Sequence, residues 1–451
     1  MTNIFKVIIL TLLCFYLCAW HNPEQSQGAS KHTSPQQQDV VVSEKPCTQE
    51  QFKPAECFDK VWQIINEEFW DPNFNGVDWE NAKKRYKPKA LAAKDHESFA
   101  EIINQMLAEV KTSHTRYFTK WDLGYYGLQA VFKSAALAEV SACETSVLEQ
   151  YLAELRSSQP EPHRSGIGVV TKNIGGRHYV TAVLKSSPAE KTGIVLGDWL
   201  VEINGQPLHP IRSFENKAGQ ELEIIIQRGL SESTRQKLKI TPLDMKERDL
   251  FENDSREYIK KLFSHKGHQF SYIRLWWLSG QAMRMVLELG VMAANSEGII
   301  IDIRDGFGGG PPEEYVHPFL KGLETITIES IYRDQKYKST AGFSKPVIVL
   351  INGGSRSGKE LLAYYFKKTG RGVLIGERTA GFVTGGNKRH ISKDSFLYYA
   401  ACMKVIDGKR LEGVGIEPDI EVPFDIRFAA GRDIQLERAK DEMVKLIEAS
   451  R

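Results

Sequence analysis

The sequence predicts an α/β fold with a helical N-terminal region and a β-rich insertion, and three observations carry that expectation. From residue 269 onward, apolar runs such as "FSYIRLWWL", "EGIIIDIR" and "PVIVLI" alternate with helix-forming stretches, "GQAMRMVLELGVMAAN" and "GKELLAYYFKKTG", the alternation of a layered α/β domain. Between 165 and 243 the runs "SGIGVV", "RHYVTAVLK", "DWLVEING" and "ELEIIIQR" are short, β-type and divided by Gly and Asn turns. Ahead of both, "CFDKVWQIINEEFW" and "HESFAEIINQMLAEV" space their apolar residues three and four apart, as amphipathic helices do.

A length of 451 residues exceeds one ordinary core, so two or three domains are expected. Apolar residues make up 41 % and charged residues 26 % of the chain, the balance of a soluble globular protein. Lys+Arg 59 against Asp+Glu 57 leaves a net charge of +2, so nothing points to a nucleic-acid partner.

In chain order, residues 1–20 place Lys6 ahead of a mostly apolar run and read as a secretory signal, with an uncleaved N-terminal anchor as the alternative. Any membrane tether is expected only there, and the location to be periplasmic or extracellular. Residues 21–45 are polar and Gln-rich, a flexible leader. A helical cap is expected over 46–160, including a polar helical segment around 136–156 that ends at the Pro- and Ser-rich "SSQPEPHRSG". The β-rich insertion follows over 165–243, with one small helical piece at "SPAEKTG". The α/β core is expected over 250–425 and a closing amphipathic helix over 426–451. Cys47 and Cys57 either close a short disulfide loop or join Cys143 and Cys402 as unpaired thiols. No Cys-x-x-Cys or clustered His pattern appears, so neither a metal nor another cofactor is expected.

Three stretches carry chemistry. "NGGSRSGKELLAYY", residues 352–365, places Ser355 and Ser357 in a glycine-rich turn between an apolar strand and a helix. A serine there gains from the positive potential of the helix N-terminus and from nearby backbone donors, although Ser and Gly before a helix are also ordinary caps. "IDIRDGFGGG", residues 301–310, ends an apolar strand in a glycine run able to present N–H groups to an oxyanion. "GIGV", Gly166, Ile167, Gly168 and Val169, precedes "SPAEKTGIVLGDWLVEINGQPL"; a glycine-flanked turn of this kind exposes N–H groups suited to a peptide's terminal carboxylate.

The last of these resembles a PDZ domain. With it, "MLAEVKTSHTRYF" at 106–118, "GRGVLIGERTAG" at 370–381 and "LEGVGIEPDIEV" at 411–422 resemble the C-terminal-processing (tail-specific) serine peptidases, over roughly residues 55–440 and in the family's order. The resemblance implies a crotonase-like layered α/β core, a helical cap, and an inserted PDZ domain that captures polypeptide C-termini.

Aligning Glu360-Leu361-Leu362-Ala363 with the family's Glu-Ile-Leu-Ala puts the nucleophile at Ser357. Where the processing-peptidase branch carries its general-base Lys, this sequence has Phe382. The tricorn-core-like branch, which uses a Ser-His pair, is the closer likeness. It implies His114 as base, Glu412 and Ser113 as its assistants, and Gly358 with Gly308 or Gly309 as the oxyanion hole. Lys388 is the fallback base. Lys359, Lys388 and His390 are otherwise expected at the surface or against substrate, and Trp276 and Trp277 between the sheet and the cap. The implied activity is an exported serine endopeptidase guided by substrate C-termini. Arg356 and Lys359 flank Ser357 where small or polar residues are usual. They keep open a catalytically degenerate peptide- or ligand-binding protein on the same fold, and behind it a PDZ-centred adaptor.

Overall fold

The computed structural model describes residues 52–135, 162–292, 296–310, 315, 319, 327–332, 335–340 and 343–451. The signal, the leader, Cys47, Cys143 and the helical segment at 136–156 lie outside the described residues.

Three helices open the described chain: α1 (Pro54–Glu68), α2 (Trp79–Leu91) and α3 (His96–Ala108). Asp78 and Asp95 cap α2 and α3 by accepting from the N–H groups of Asn81 and Ser98, which satisfies donors that a helix start otherwise leaves open. Their apolar faces bury Phe58, Trp62, Phe99 and Ile103 in one cluster, where Cys57 is also fully buried. Strand β1 (Arg116–Thr119) and helix α4 (Leu123–Ala135) follow.

The insertion forms a sheet of β2 (Val169–Ile174), β3 (Arg177–Val183), β4 (Asp198–Ile203), β5 (Leu222–Arg228) and β6 (Arg235–Ile240), with the short Gln206–Pro207 strand beside β4 and helix α5 (Pro188–Thr192) packed on it. All its pairings are antiparallel, and β2 is an edge strand. "GDWLVEING" behaves as its residues suggest: Gly197 takes φ +87° before β4, and the Asn204-Gly205 turn ends it.

The core follows α6 (Glu247–Ile259). Its sheet is built from β7 (Leu262–His265), β8 (His268–Arg274), β9 (Ile299–Asp302), β10 (Val347–Ile351), β11 (Val373–Gly376) and the short β14 (Ile420–Glu421). From β8 onward the neighbours pair parallel; only β7 runs antiparallel, at the edge. β9 and β10 read "IIID" and "VIVLI" and are buried throughout, as parallel strands covered on both faces must be. One face carries α7 (Gly280–Met292) and α8 (Gly358–Thr369), with Met285, Leu289, Leu362 and Phe366 in the core; the other carries α9 (Ile434–Ala449), with Ala439, Met443 and Ile447. The structure is thus the layered α/β core with helical cap and β-rich insertion that the sequence predicts.

A hairpin of β12 (Gly385–Ser392) and β13 (Ser395–Cys402) leaves the core and pairs antiparallel with β1, Arg116 opposite Tyr398. This three-stranded sheet ties the N-terminal helices to the core and brings the segment after α3 against it. Trp276 and Trp277 pack with Val131 of α4, Phe251 of α6 and Ala182 and Leu184 at the end of the insertion's β3, so they sit where cap, insertion and core meet.

Candidate active site

Two loops leave the carboxyl ends of adjacent parallel strands, β9 and β10, the place where open α/β sheets put their ligands. The first is Ile303–Gly310 and the second is Asn352–Ser357. Asn352 joins them: its Nδ2 donates to Asp305 Oδ1 at 3.1 Å, and its Oδ1 accepts from the N–H groups of Asp305 and Gly354. Ser355 is fully buried, donating through Oγ to the Ile303 carbonyl at 2.9 Å and accepting from Asn352 N. It serves the loop's shape and has no access to a substrate.

Ser357 stands immediately before α8 with φ +57° and ψ −128°. A non-glycine residue there stores roughly 1–3 kcal/mol of strain, which surrounding contacts must hold. They do so through Glu360. Its carboxylate accepts from the N–H groups of Ser357 (3.2 Å), Gly381 (2.7 Å) and Phe382 (2.6 Å) and from the Thr379 hydroxyl (2.6 Å). Burial pushes the Glu360 carboxyl up, and these four donors oppose that shift. The Ser357 N–H also reaches the Phe382 carbonyl at 2.7 Å. Phe382 itself is 43 % exposed and lines the cleft.

Gly308 lies against this serine. A Cβ added to Gly308 would meet Ser357 Cβ and, at 2.8 Å, both Ser357 Oγ and Gly358 N. Gly309 takes φ +104°, and its carbonyl blocks any Cβ on Gly358. Leu278 N donates to Gly308 O at 2.9 Å and fixes the glycine run to the loop after β8. Among the described residues, nothing accepts from the N–H of Gly358 or Gly309.

His114 reaches the same cleft from the N-terminal region, in the turn between α3 and β1, also with positive φ (+56°). Its Nδ1 lies 2.8 Å from Ser113 Oγ and 3.1 Å from Thr384 Oγ1. The Ser113 hydroxyl donates to Glu412 Oε2 at 3.0 Å, and Glu412 also accepts from the N–H groups of Ser113, Val383 and Thr384 at 2.8 to 3.1 Å. The imidazole packs on Tyr398, ring centroids 5.1 Å apart. Burial, then the positive charges of Arg356 and Lys404, push the His114 pKa down to about 3. The imidazole is therefore neutral at ordinary pH, with its basicity lowered in this resting conformation. No hydrogen bond joins Ser357 Oγ to His114 in this conformation, although both line one cleft of about 1700 Å³.

Three comparisons bear on this site. The "Peptidase family S41" model matches residues 269–422, "Tricorn protease C1 domain" matches 52–108 and "PDZ domain" matches 179–227. Residues 269–422 thus match the S41 peptidase family. Among similar proteins, tricorn protease homolog 1 of Streptomyces coelicolor is 24 % identical over 399 residues, 85 % of this chain and 34 % of the relative. Carboxy-terminal processing protease CtpB of Bacillus subtilis is 24 % identical over 319 residues, 63 % of this chain and 60 % of the relative. The crystal structure of the tricorn protease superposes with a TM-score of 0.52 at 20 % identity, covering 87 % of this chain and 37 % of that one, a likeness of fold. The chain spans about a third of the length of the first two of its curated relatives, both tricorn protease homologs.

The remaining predicted residues fall differently. Lys359 is not at the surface: it is fully buried, and its Nζ donates to the Asp305 carbonyl at 2.7 Å, bracing the glycine loop of the S41 core. Burial, then the charge of Arg274, hold its pKa well below the ordinary lysine value. Lys388 is also buried, with Nζ over the rings of Phe132 and Phe396, while His390 is exposed. Gly166 to Val169 lead into edge strand β2. The carbonyls of Ile167 and Gly168 accept from Ala189 and Leu184, and the space before them, bounded by Leu123 of α4, Leu200 and Phe214, is about 10 Å³, room for about one water. Thr384, Glu360 and Asn352 were missed in the sequence because an isolated Thr, a helical Glu and a turn Asn have no spacing that marks them. The repeated acceptor demand of a buried turn could have suggested Glu360.

Proposed function

We propose that this protein is an exported serine endopeptidase, periplasmic or extracellular, that cleaves polypeptides through a Ser357-His114 couple. The observation that carries this reading is the relay from Glu412 through the Ser113 hydroxyl to His114 Nδ1, opening into the cleft that also holds Ser357. With Nδ1 engaged, Nε2 is the atom left to take the Ser357 proton. Oγ attacks the scissile carbonyl and the imidazolium then protonates the leaving amine; water reverses the sequence on the acyl-enzyme. Glu412 and Ser113 hold the ring and stabilise its charged form. The N–H groups of Gly358 and Gly309, beside Ser357, receive the oxyanion. Resting catalytic contacts are often longer than working ones, so substrate would have to draw Oγ and Nε2 together.

The PDZ-like insertion is assigned the capture of substrate C-termini through Gly166 to Val169. Residues Val169 to Lys172 of edge strand β2 also line the large cleft, which supports a peptide running along that edge by strand addition toward Ser357. With about 10 Å³ before the carboxylate loop, entry of a terminus needs Leu123 to move.

A catalytically degenerate binding protein is the second reading, favoured by the missing Ser357-His114 hydrogen bond. Cleavage of an unfolded reporter protein decides between them, with labelling by a fluorophosphonate probe. The peptidase reading expects both in the wild type and neither in Ser357→Ala, with cleavage lost in His114→Ala. A wild type that neither cleaves nor labels would sink it, and gain of cleavage in Phe382→Lys would show that only a base was lacking.

A further inference from the structure

Three carboxylates surround the nucleophile, and each is committed elsewhere. Asp305 takes Arg274 Nη2 at 3.3 Å and Asn352 Nδ2 at 3.1 Å. Glu360 holds the Ser357 turn, and Glu412 holds Ser113, Val383 and Thr384. Arg356, next in chain to Ser357, lines the cleft and makes one hydrogen bond among the described residues, from Nε to the Gly354 carbonyl at 3.2 Å. Among the described residues neither of its Nη groups has a partner, and no carboxylate pairs with it. Lys404, after β13, lines the same cleft and likewise has no ion pair among the described residues. The nearby Arg116 is already matched, with Asp122 at 3.1 Å.

Arg356 is half-buried, with its guanidinium open to the cleft and in no ion pair among the described residues, and its planar fork fits a carboxylate through two parallel bonds. Its position also says where that anion belongs. Arg356 is next in chain to Ser357 and lines one cleft with Lys404 and His114, and the imidazole delivers its proton to the leaving amine, so this cationic part of the cleft is assigned to the leaving side of the scissile bond.

We propose that Arg356, assisted by Lys404, is a specificity-determining carboxylate site on the leaving-group side of Ser357. Substrates that carry an acidic side chain, or the chain's own terminal carboxylate, just beyond the cleaved bond are then preferred. The proposal rests on the peptidase reading above for its substrate class.

The test uses two pairs of internally quenched peptides. One pair has Glu or Gln at the first leaving-side position, both amidated. The other has a neutral sequence ending one residue past the cleaved bond, as free acid or amide. In the wild type the acid member is expected to have a kcat/KM about tenfold or more above its neutral partner, the scale of a charge-assisted hydrogen bond. That ratio should collapse toward one in Arg356→Gln, recover in part in Arg356→Lys and shrink in Lys404→Gln. Because a ratio is read, any change in His114 basicity cancels. Preference within the first pair alone assigns the site to side chains, and within the second alone to chain ends. Melting temperature and fluorophosphonate labelling show whether each variant is folded. An active wild type with no acid preference overturns the proposal. If no peptide is cut, anisotropy of the same peptides decides: acid-selective binding lost in Arg356→Gln upholds the site while the peptidase reading falls, and unselective or absent binding overturns it.

Discussion

Gly308 faces Ser357 so closely that a methyl group on it would stand 2.8 Å from the serine Oγ. The β9 loop thus walls one side of the proposed nucleophile, and no residue with a side chain fits there without moving it. Gly308→Ala is expected to lower kcat by about 100 to 1,000-fold, the scale of losing one oxyanion donor. Since Gly308 does not need positive φ, the fold should survive, and a melting temperature within a few degrees of wild type checks that. An active Gly308→Ala enzyme would remove these glycines from the site.

Two hydroxyls serve one imidazole nitrogen: Ser113 Oγ at 2.8 Å and Thr384 Oγ1 at 3.1 Å from His114 Nδ1, themselves 2.9 Å apart. Either can hold the ring if the other is lost. Ser113→Ala and Thr384→Val should each reduce kcat by only about tenfold, while the double variant should lose more than the product of the two, since neighbours in one network are not additive. Glu412→Gln should cost about 100-fold or more, because its carboxylate accepts four hydrogen bonds and an amide must turn a donor toward one of them. Single-turnover acylation rates give the comparison.

His114 is held neutral, so the acid limb of kcat/KM should lie well below the ordinary histidine pKa of about 6.5. Neutral imidazole is the active form and its pKa is pushed down to about 3; activity should therefore persist as pH falls through 6.5. Lys404→Met removes one of the two charges that depress it and should move the limb upward. The stability linkage has the same sign. The unfolded chain takes up this proton near pH 6.5 and the folded one does not, so His114 lowers stability progressively between pH 6.5 and 3. An acid limb at 6.5 in both proteins would contradict the burial of this ring.

Glu360 is the brace of the strained turn, fully buried and holding four donors. Glu360→Gln keeps its shape but opposes at least one of them. A loss of about 2–4 kcal/mol in stability, read by urea unfolding, is expected, together with a fall in kcat as Ser357 leaves φ +57°. A variant as stable and active as wild type would show that the helix start holds Ser357 without it.

The α/β alternation, the antiparallel insertion and the amphipathic N-terminal helices were legible along the chain because each depends on local period: 2 for strands, 3.6 for helices, with Gly and Asn marking turns. Ser357, His114, Ser113 and Glu412 were nameable only through motif likeness, since no spacing could join Ser113 to a carboxylate 299 residues away. Tertiary structure alone decided what those residues touch. Pairing of β1 with β13 carries His114 to the core, and adjacency of β9 and β10 sets Gly308 against Ser357. It also reversed the sequence expectation for Lys359, whose charge suggested a surface and whose Nζ proved to brace the Asp305 carbonyl in the interior. Arg356 and Lys359 look alike in "SRSGKE", yet the first, in the loop before α8, lines the cleft and the second, in the first turn of α8, is buried in the core. Which way a cation points depends on the helix's orientation against its sheet, a long-range packing outcome that no local pattern encodes.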